Sequence, residues 1–174
     1  MTNFAALADL HTHSTASDGS IRPAEVIRAA ARLGLGAIAL TDHDTVSGLV
    51  SAAAEAANHP ALTFIPGIEM SGLRHGPGIL HILGLGIDET NADILAICKH
   101  LCAAREERNP KIMDKLQAAG IEISYDDVLD DIPTPDDGSA KVVARLHIAN
   151  TLIRRGFAKT SPTHSTASSA KRAS

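Results

Sequence analysis

The sequence predicts an α/β fold of parallel strands with outer helices, and three observations carry that prediction. Short apolar runs recur at residues 6–10, 37–40, 62–65 and 78–84. Helix-like segments lie between them, giving a strand–helix alternation. Each run also delivers a His, Asp or Glu at or near its C-terminal end, the edge where such folds collect their chemistry.

The first run, Ala6-Leu7-Ala8-Asp9-Leu10, reads as a short buried strand that emerges in His11-Thr12-His13. Histidines at i and i+2 on extended backbone project to one side. Imidazole is the commonest metal ligand near neutral pH, and Asp18 in Ser17-Asp18-Gly19 adds a hard oxygen. One such pair is as often a solvated feature as a ligand pair. Ser20 is placed to cap a helix with Pro23 in its first turn, running through Val26, Ile27, Ala30 and Leu33 to Gly34. The second run ends in Thr41-Asp42-His43-Asp44, after which Thr45 opens a helix through Leu49, Ala53 and Ala56. The third ends in Pro66-Gly67-Ile68-Glu69, and the fourth contains His81. Ligand-type residues on all four runs point to a metal centre.

After Asp88 the character changes. Residues 91–119 read as a long helical stretch interrupted by Pro110 and ended by Gly120. An amphipathic helix follows at about 140–155, with Val143, Leu146, Ile148 and Leu152 available for packing. Arg105 and Arg108, with Asn109, fall on the first of these helices, and Arg145 and His147 on the second. A solvated face explains such clusters as well as a ligand does, although guanidinium forks suit phosphate oxygens. Residues 160–174 are rich in Ser, Thr and Ala without apolar periodicity, and disorder is expected there. They repeat the Thr-His-Ser-Thr-Ala-Ser of residues 12–17, but Pro162 and Ser169 replace the first His and the Asp. The repeat is therefore no second ligand loop.

The 174 residues suffice for one domain burying roughly 70% of its unfolded surface. With aromatics at 2% and no Trp, the core must come from Ala, Leu, Ile and Val. A net charge of −4 gives no electrostatic case for duplex DNA or an anionic membrane. No apolar run reaches membrane-spanning length and no signal-peptide pattern opens the chain, so a cytoplasmic protein is expected. Cys98 and Cys102, one helical turn apart, read as reduced thiols. His59, His75 and His100 read as surface or loop histidines.

On His11-Thr12-His13, Ser17-Asp18-Gly19, Thr41-Asp42-His43-Asp44, Pro66-Gly67-Ile68-Glu69 and His81, the chain resembles the PHP family, named for polymerase and histidinol phosphatase. The likeness runs from about residue 6 to about residue 158. It is greatest to stand-alone bacterial phosphoesterases acting on nucleotide 3′,5′-bisphosphates and short RNA ends. The resemblance implies the first part of a distorted (β/α)7 barrel over residues 1–90, a helical insertion over its mouth at 91–158, and a tail at 159–174.

The resemblance further implies up to three divalent ions, Mn, Fe or Zn. His11, His13 and Glu69 would hold the first, Glu69 and His81 the second, and Asp18 and His43 the third. Of these, His11, His13, Asp18, His43 and Glu69 would be catalytic, with a metal-activated hydroxide hydrolysing a phosphomonoester. Arg108, Asn109, Arg145 and His147 would hold the phosphate of a small substrate, a nucleotide or short RNA. Asp42 would orient imidazoles, and Asp44 would either do the same or cap a helix beside Thr45.

The chain departs from the family in one respect. The family pattern continues with a further His, often in Ala-His-Pro, and a terminal Asp-x-His, and nothing after residue 147 supplies them. A truncation or altered reading frame near Phe157-Ala158-Lys159 is the expectation that follows. The competing reading is an inactive fragment of such an enzyme, with an unpaired sheet edge and an uncovered apolar face. Polymerase-associated modules, histidinol phosphate hydrolysis and amide hydrolysis remain as further alternatives, and the arginine clusters favour nucleotides over them.

Overall fold

The structure, a computed structural model, describes residues 7–73, 79–134 and 141–159. The elements in order are β1 (Ala8–Thr12), α1 (Pro23–Leu33), β2 (Ala37–Leu40), α2 (Leu49–Ala56), β3 (Thr63–Leu73) and β4 (Ile79–Leu85), then α3 (Ala92–Ala118), α4 (Tyr125–Asp131) and α5 (Arg145–Arg154). The strands form one sheet in the order β1-β2-β3-β4. β1, β2 and β3 are parallel, as expected for strands joined by helical crossovers.

β4 corrects the all-parallel expectation, because it runs antiparallel to β3. Only residues 74–78 separate the two, too few for the crossover that parallel strands need. β3 is also longer than the run 62–65 suggested. It continues through Pro66-Gly67 to Leu73, so Glu69 lies within a strand and not beyond its end. Pro66 pairs with Leu40 at the last step of the parallel ladder, and Gly67 opens the antiparallel ladder opposite Leu85. A Cβ on Gly67 would stand 2.8 Å from Thr41 Cγ2, so the missing side chain lets β3 lie close against the end of β2.

The helices differ from expectation mainly at their starts. Pro23 at the first position opens α1, with Arg22 as N-cap and no side-chain cap from Ser20. Gly34 closes it in the left-handed conformation at φ 72. α2 begins at Leu49, not Thr45, because Asp44 adopts φ 57 and the Thr45 hydroxyl accepts the Ser47 N–H in a local turn. α3 is one unbroken helix of 27 residues, started by the Asn91 side chain, which accepts the Asp93 and Ile94 N–H groups. Pro110 does not interrupt it. The exposed proline leaves the Glu106 carbonyl without its usual partner on the solvent side, where water can satisfy it.

α4 was not foreseen from periodicity, yet Ser124 and Asp127 form a reciprocal capping box at its start. α5 begins at Arg145, and residues 141–144 before it are not helical. The expected tail at 160–174 and His75 lie outside the described residues.

Two apolar clusters form the core. The first joins Val26, Ile27 and Ala30 of α1 to Ile38 and Leu40 of β2, Leu49 and Ala52 of α2, and Leu62. The second joins Met113 of α3 to Ile123, Val128 of α4, Ile132, Val143 and Ile148 of α5. Full burial of a side chain such as Ile27 or Leu40 contributes about 1.5–3 kcal/mol. Leu146, expected to be available for packing, is exposed at 47%, and Leu33 at the end of α1 is exposed at 63%. β1 is likewise not the buried strand expected, because it is a sheet edge on which Leu10 is 40% exposed. On the opposite edge strand, β4, Leu80, Ile82 and Leu85 are exposed as well.

Candidate metal centre

Glu69 is the hub of the site, and its backbone explains its position. Its N–H donates to the Asp42 carbonyl at 3.1 Å, and its own carbonyl accepts the Asp44 N–H at 3.0 Å. These bonds form a parallel bridge with His43 beyond the regular end of β2. The carboxylate, 7% exposed, then meets four imidazoles. Oε2 lies 3.0 Å from His11 Nε2, 3.1 Å from His13 Nε2 and 3.3 Å from His43 Nδ1, while Oε1 lies 3.0 Å from His81 Nδ1. The rings follow one another in a row, His11–His13–His43–His81, with centroids 5.0, 4.7 and 4.9 Å apart.

Asp18 faces the same row from the loop after β1. Its carboxylate lies 3.6 Å from His13 Nδ1 and 3.6 Å from His43 Nε2. Gly19 makes that loop possible, because a Cβ there would stand 2.5 Å from the His13 carbonyl oxygen. The loop closes through the Gly19 N–H, which donates to the Ser14 carbonyl at 2.9 Å. All six residues expected to bind metal are thus brought together.

Their donor atoms fall into three trios, each with atoms within 4.8 Å of one another: His11, His13 and Glu69; His13, Asp18 and His43; His43, Glu69 and His81. The first trio is the set expected for a first metal. The others add His13 beside Asp18 and His43, and His43 beside Glu69 and His81.

The electrostatics fit cations. Burial alone would push the Glu69 carboxyl up, but the His11 hydrogen bond and the fields of His43, His11 and His13 hold it below the usual carboxylate range. Burial also pushes His43 below the ordinary imidazole value, against the pull of Asp18 and Glu69. Neutral imidazole is the form that ligates metal. His43 Nδ1 is buried without a hydrogen-bond partner, although it faces Glu69 Oε2. An orphaned imidazole nitrogen beside a carboxylate, with mixed N and O donors around it, fits a divalent transition metal.

Asp42 plays a different part from the one expected. It touches no imidazole among the described residues. Oδ1 accepts the Ser14 N–H at 2.7 Å and the Ser17 hydroxyl at 2.5 Å, and Oδ2 accepts the Ser14 hydroxyl at 2.6 Å. Ser17 Oγ in turn lies 3.5 Å from His13 Nδ1, so Asp42 reaches an imidazole only through that serine. Asp44 neither caps a helix nor meets an imidazole. It receives Ser71 and Arg105 instead.

Across from the imidazoles, α3 and α5 complete a cleft of about 710 Å³. His43, His81 and Asp18 line it together with Arg105, Arg108 and Arg145. Asn109 is 1% exposed. Its Nδ2 donates to the Val143 carbonyl at 2.9 Å, while its Oδ1 accepts Arg108 NH2 at 3.0 Å. His147 Nδ1 accepts the Ala144 N–H at 3.1 Å, capping α5 and placing any ring proton of the neutral form on Nε2.

Burial lowers the proton affinity of Arg108, and the neighbouring charges of Arg145 and Arg105 lower it further. His100, which sequence reasoning assigned to the surface, is exposed and lines the same cleft. His59 is a surface residue as expected, paired with Glu55 at 3.0 Å. Cys98 and Cys102 are free thiols, and burial pushes Cys98 up to about 11.

A family model described as PHP domain matches residues 9–129. A 5′-3′ exoribonuclease of Haemophilus influenzae is 40% identical over 85% of this chain and 51% of its own length. A 3′,5′-nucleoside bisphosphate phosphatase of Chromobacterium violaceum is 38% identical over 87% of this chain and 50% of its own. Among solved structures, an amidohydrolase from Chromobacterium violaceum with bound sulfate and no metal superposes with a TM-score of 0.78 at 38% identity, covering 88% of this chain and 52% of that one. The chain spans about half the length of the curated relatives it matches.

Proposed function

The chain belongs to the PHP family, and on that premise we propose that it carries the metal centre of a phosphoesterase acting on phosphomonoesters of nucleotides, either 3′,5′-bisphosphates or short RNA ends. The observation that supports this most is a single cleft lined by imidazoles, carboxylates and three arginines. Residues 1–90 then form the barrel part and residues 91–158 a helical insertion over its mouth. The separate apolar clusters of the two parts favour that division.

In this reading His11, His13, Asp18, His43, Glu69 and His81 hold up to three ions, Mn, Fe or Zn. Divalent ions held there supply an activated water and neutralise charge on the phosphate. The protein's own contribution is placement. Glu69, fixed by backbone bonds on both sides, sets the spacing of the cluster. Arg145 and the remaining donors of Arg108, whose Nε and NH2 bond Asn109, offer guanidinium N–H groups to a phosphate in the cleft, and an anion there relieves the mutual repulsion of the cations. Asn109 is buried and acts by holding Arg108. His147 does not line the cleft among the described residues; it caps α5, the helix that carries Arg145.

The names of the relatives, an exoribonuclease and a nucleoside bisphosphate phosphatase, favour nucleotides as the substrate class. Among the described residues no helix is long and apolar enough to cross a membrane. The two free thiols suit a reducing compartment such as the cytoplasm.

The test is metal content followed by turnover. The purified chain is expected to bind Mn, Fe or Zn stoichiometrically, to lose metal on His11→Ala, and to release phosphate from adenosine 3′,5′-bisphosphate. Absence of bound metal in the unaltered chain would sink the reading. Exposed apolar side chains on both edge strands, among them Leu10 and Ile82, favour a second reading, in which metal binds but turnover needs a further polypeptide to cover those edges. Metal without phosphate release, restored by adding the second half of a relative, would select it.

A further inference from the structure

We propose that Asp44 is a positioning residue that seats α3 over the metal cleft and so sets Arg108 for an anionic ligand. The inference rests on the metal-centre reading and adds a residue to it. Asp44 is 1% exposed at φ 57, and all its polar groups are engaged. Its N–H donates to the Glu69 carbonyl at 3.0 Å, Oδ1 accepts the Ser71 N–H at 2.6 Å, and Oδ2 accepts Arg105 Nε at 2.9 Å and Arg105 NH2. Its carbonyl also receives the Cys102 thiol at 3.7 Å.

The two apolar clusters have no buried residue in common. The hydrogen bonds among the described residues that cross from the strands to the helices meet at Asp44. Arg108 follows Arg105 by three residues on α3, so the two share a helix face. Holding the first fixes the second in the cleft that His43 and His81 also line. Because Arg105 commits Nε and NH2 to Asp44, Arg145 and the part of the Arg108 guanidinium not bonded to Asn109 Oδ1 remain for the ligand.

Asp44→Asn separates charge from shape, since asparagine tolerates positive φ and keeps an acceptor for Ser71. The readouts are Mn2+ stoichiometry, inorganic phosphate affinity at saturating Mn2+, and the rate at which Cys102 is labelled by a thiol reagent in a Cys98→Ala background. The variant is expected to keep wild-type Mn2+, bind phosphate about tenfold more weakly, and expose Cys102 to faster labelling. Unchanged phosphate affinity and labelling would overturn the proposal. Joint loss of Mn2+ and phosphate would also overturn it, because Asp44 would then act by holding Glu69.

If Asp44→Asn does not fold, Arg105→Gln is read in the same way, and unchanged phosphate affinity is again the overturning result. A wild-type chain without Mn2+ fails the underlying metal reading instead, and the labelling rates still decide whether Asp44 seats α3.

Discussion

His43 Nδ1 stands 3.3 Å from Glu69 Oε2 with no hydrogen bond between them, although both groups are buried in the same cluster. The contact is satisfied best by a cation shared between the two. Glu69→Gln keeps the shape and removes the charge, so Mn2+ affinity is expected to fall by at least about tenfold, the lower end seen for losing even an outer partner. Titration calorimetry checks this, and wild-type affinity in the variant would remove Glu69 from the ligand set.

Asp42 holds the loop that carries Asp18. Asp42→Ala would strip an acceptor from Ser14 N–H and from the Ser14 and Ser17 hydroxyls, all buried. A stability loss on the order of 3 kcal/mol is expected from those unsatisfied donors, together with about 10–100-fold weaker metal binding. Urea denaturation of the metal-free chain separates the two effects.

Gly19→Ala tests the same loop from its backbone. The added Cβ would sit 2.5 Å from a carbonyl oxygen, a fixed atom that cannot swing away. Destabilisation of about 1–3 kcal/mol is expected from the forced shift, read as a lower Tm, with Asp18 displaced from His13 and His43.

His147 gives the metal-free chain a pH dependence. Burial, opposed in part by Asp18 and the Val142 carbonyl and reinforced by Arg105, lowers its affinity for a proton relative to the ordinary value of 6.5. The unfolded chain therefore holds more protons in the window below that value, and stability rises with pH there. The contribution is complete above the unfolded value and is lost as pH falls through the folded one. Protonation also removes the acceptor for the Ala144 N–H and puts positive charge at a helix N-terminus. Tm measured from about pH 7.5 down to about pH 5 should fall less steeply in His147→Asn than in the wild type. An equal slope would show that His147 does not contribute.

The sequence alone pointed to the members of the cluster. His11, His13, Asp18, His43, Glu69 and His81 were all legible as candidates, because His, Asp and Glu at or near the ends of apolar runs form a local pattern. It also determined the Pro23 and Gly34 boundaries of α1, since both residues act through their own dihedral angles. The capping box at Ser124 and Asp127 is equally local, and the Ser-x-x-Asp spacing ahead of Val128 and Leu129 marks the start of α4.

The remaining features depend on contacts distant in sequence. Periodicity reports which side chains share a face, but not which strand a run will meet or in which direction. The antiparallel return of β4 and the placing of Glu69 within β3 therefore had to await the fold. Pro110 inside α3 broke a local rule, because Pro110 and Glu106, the residue whose carbonyl it frees, are both exposed. The parts of Asp42 and Asp44 were hidden for the same reason. A carboxylate's sequence neighbours are imidazoles in both cases, but its partners are chosen by what the chain brings within hydrogen-bond reach, Ser14 and Ser17 for one and Arg105 for the other.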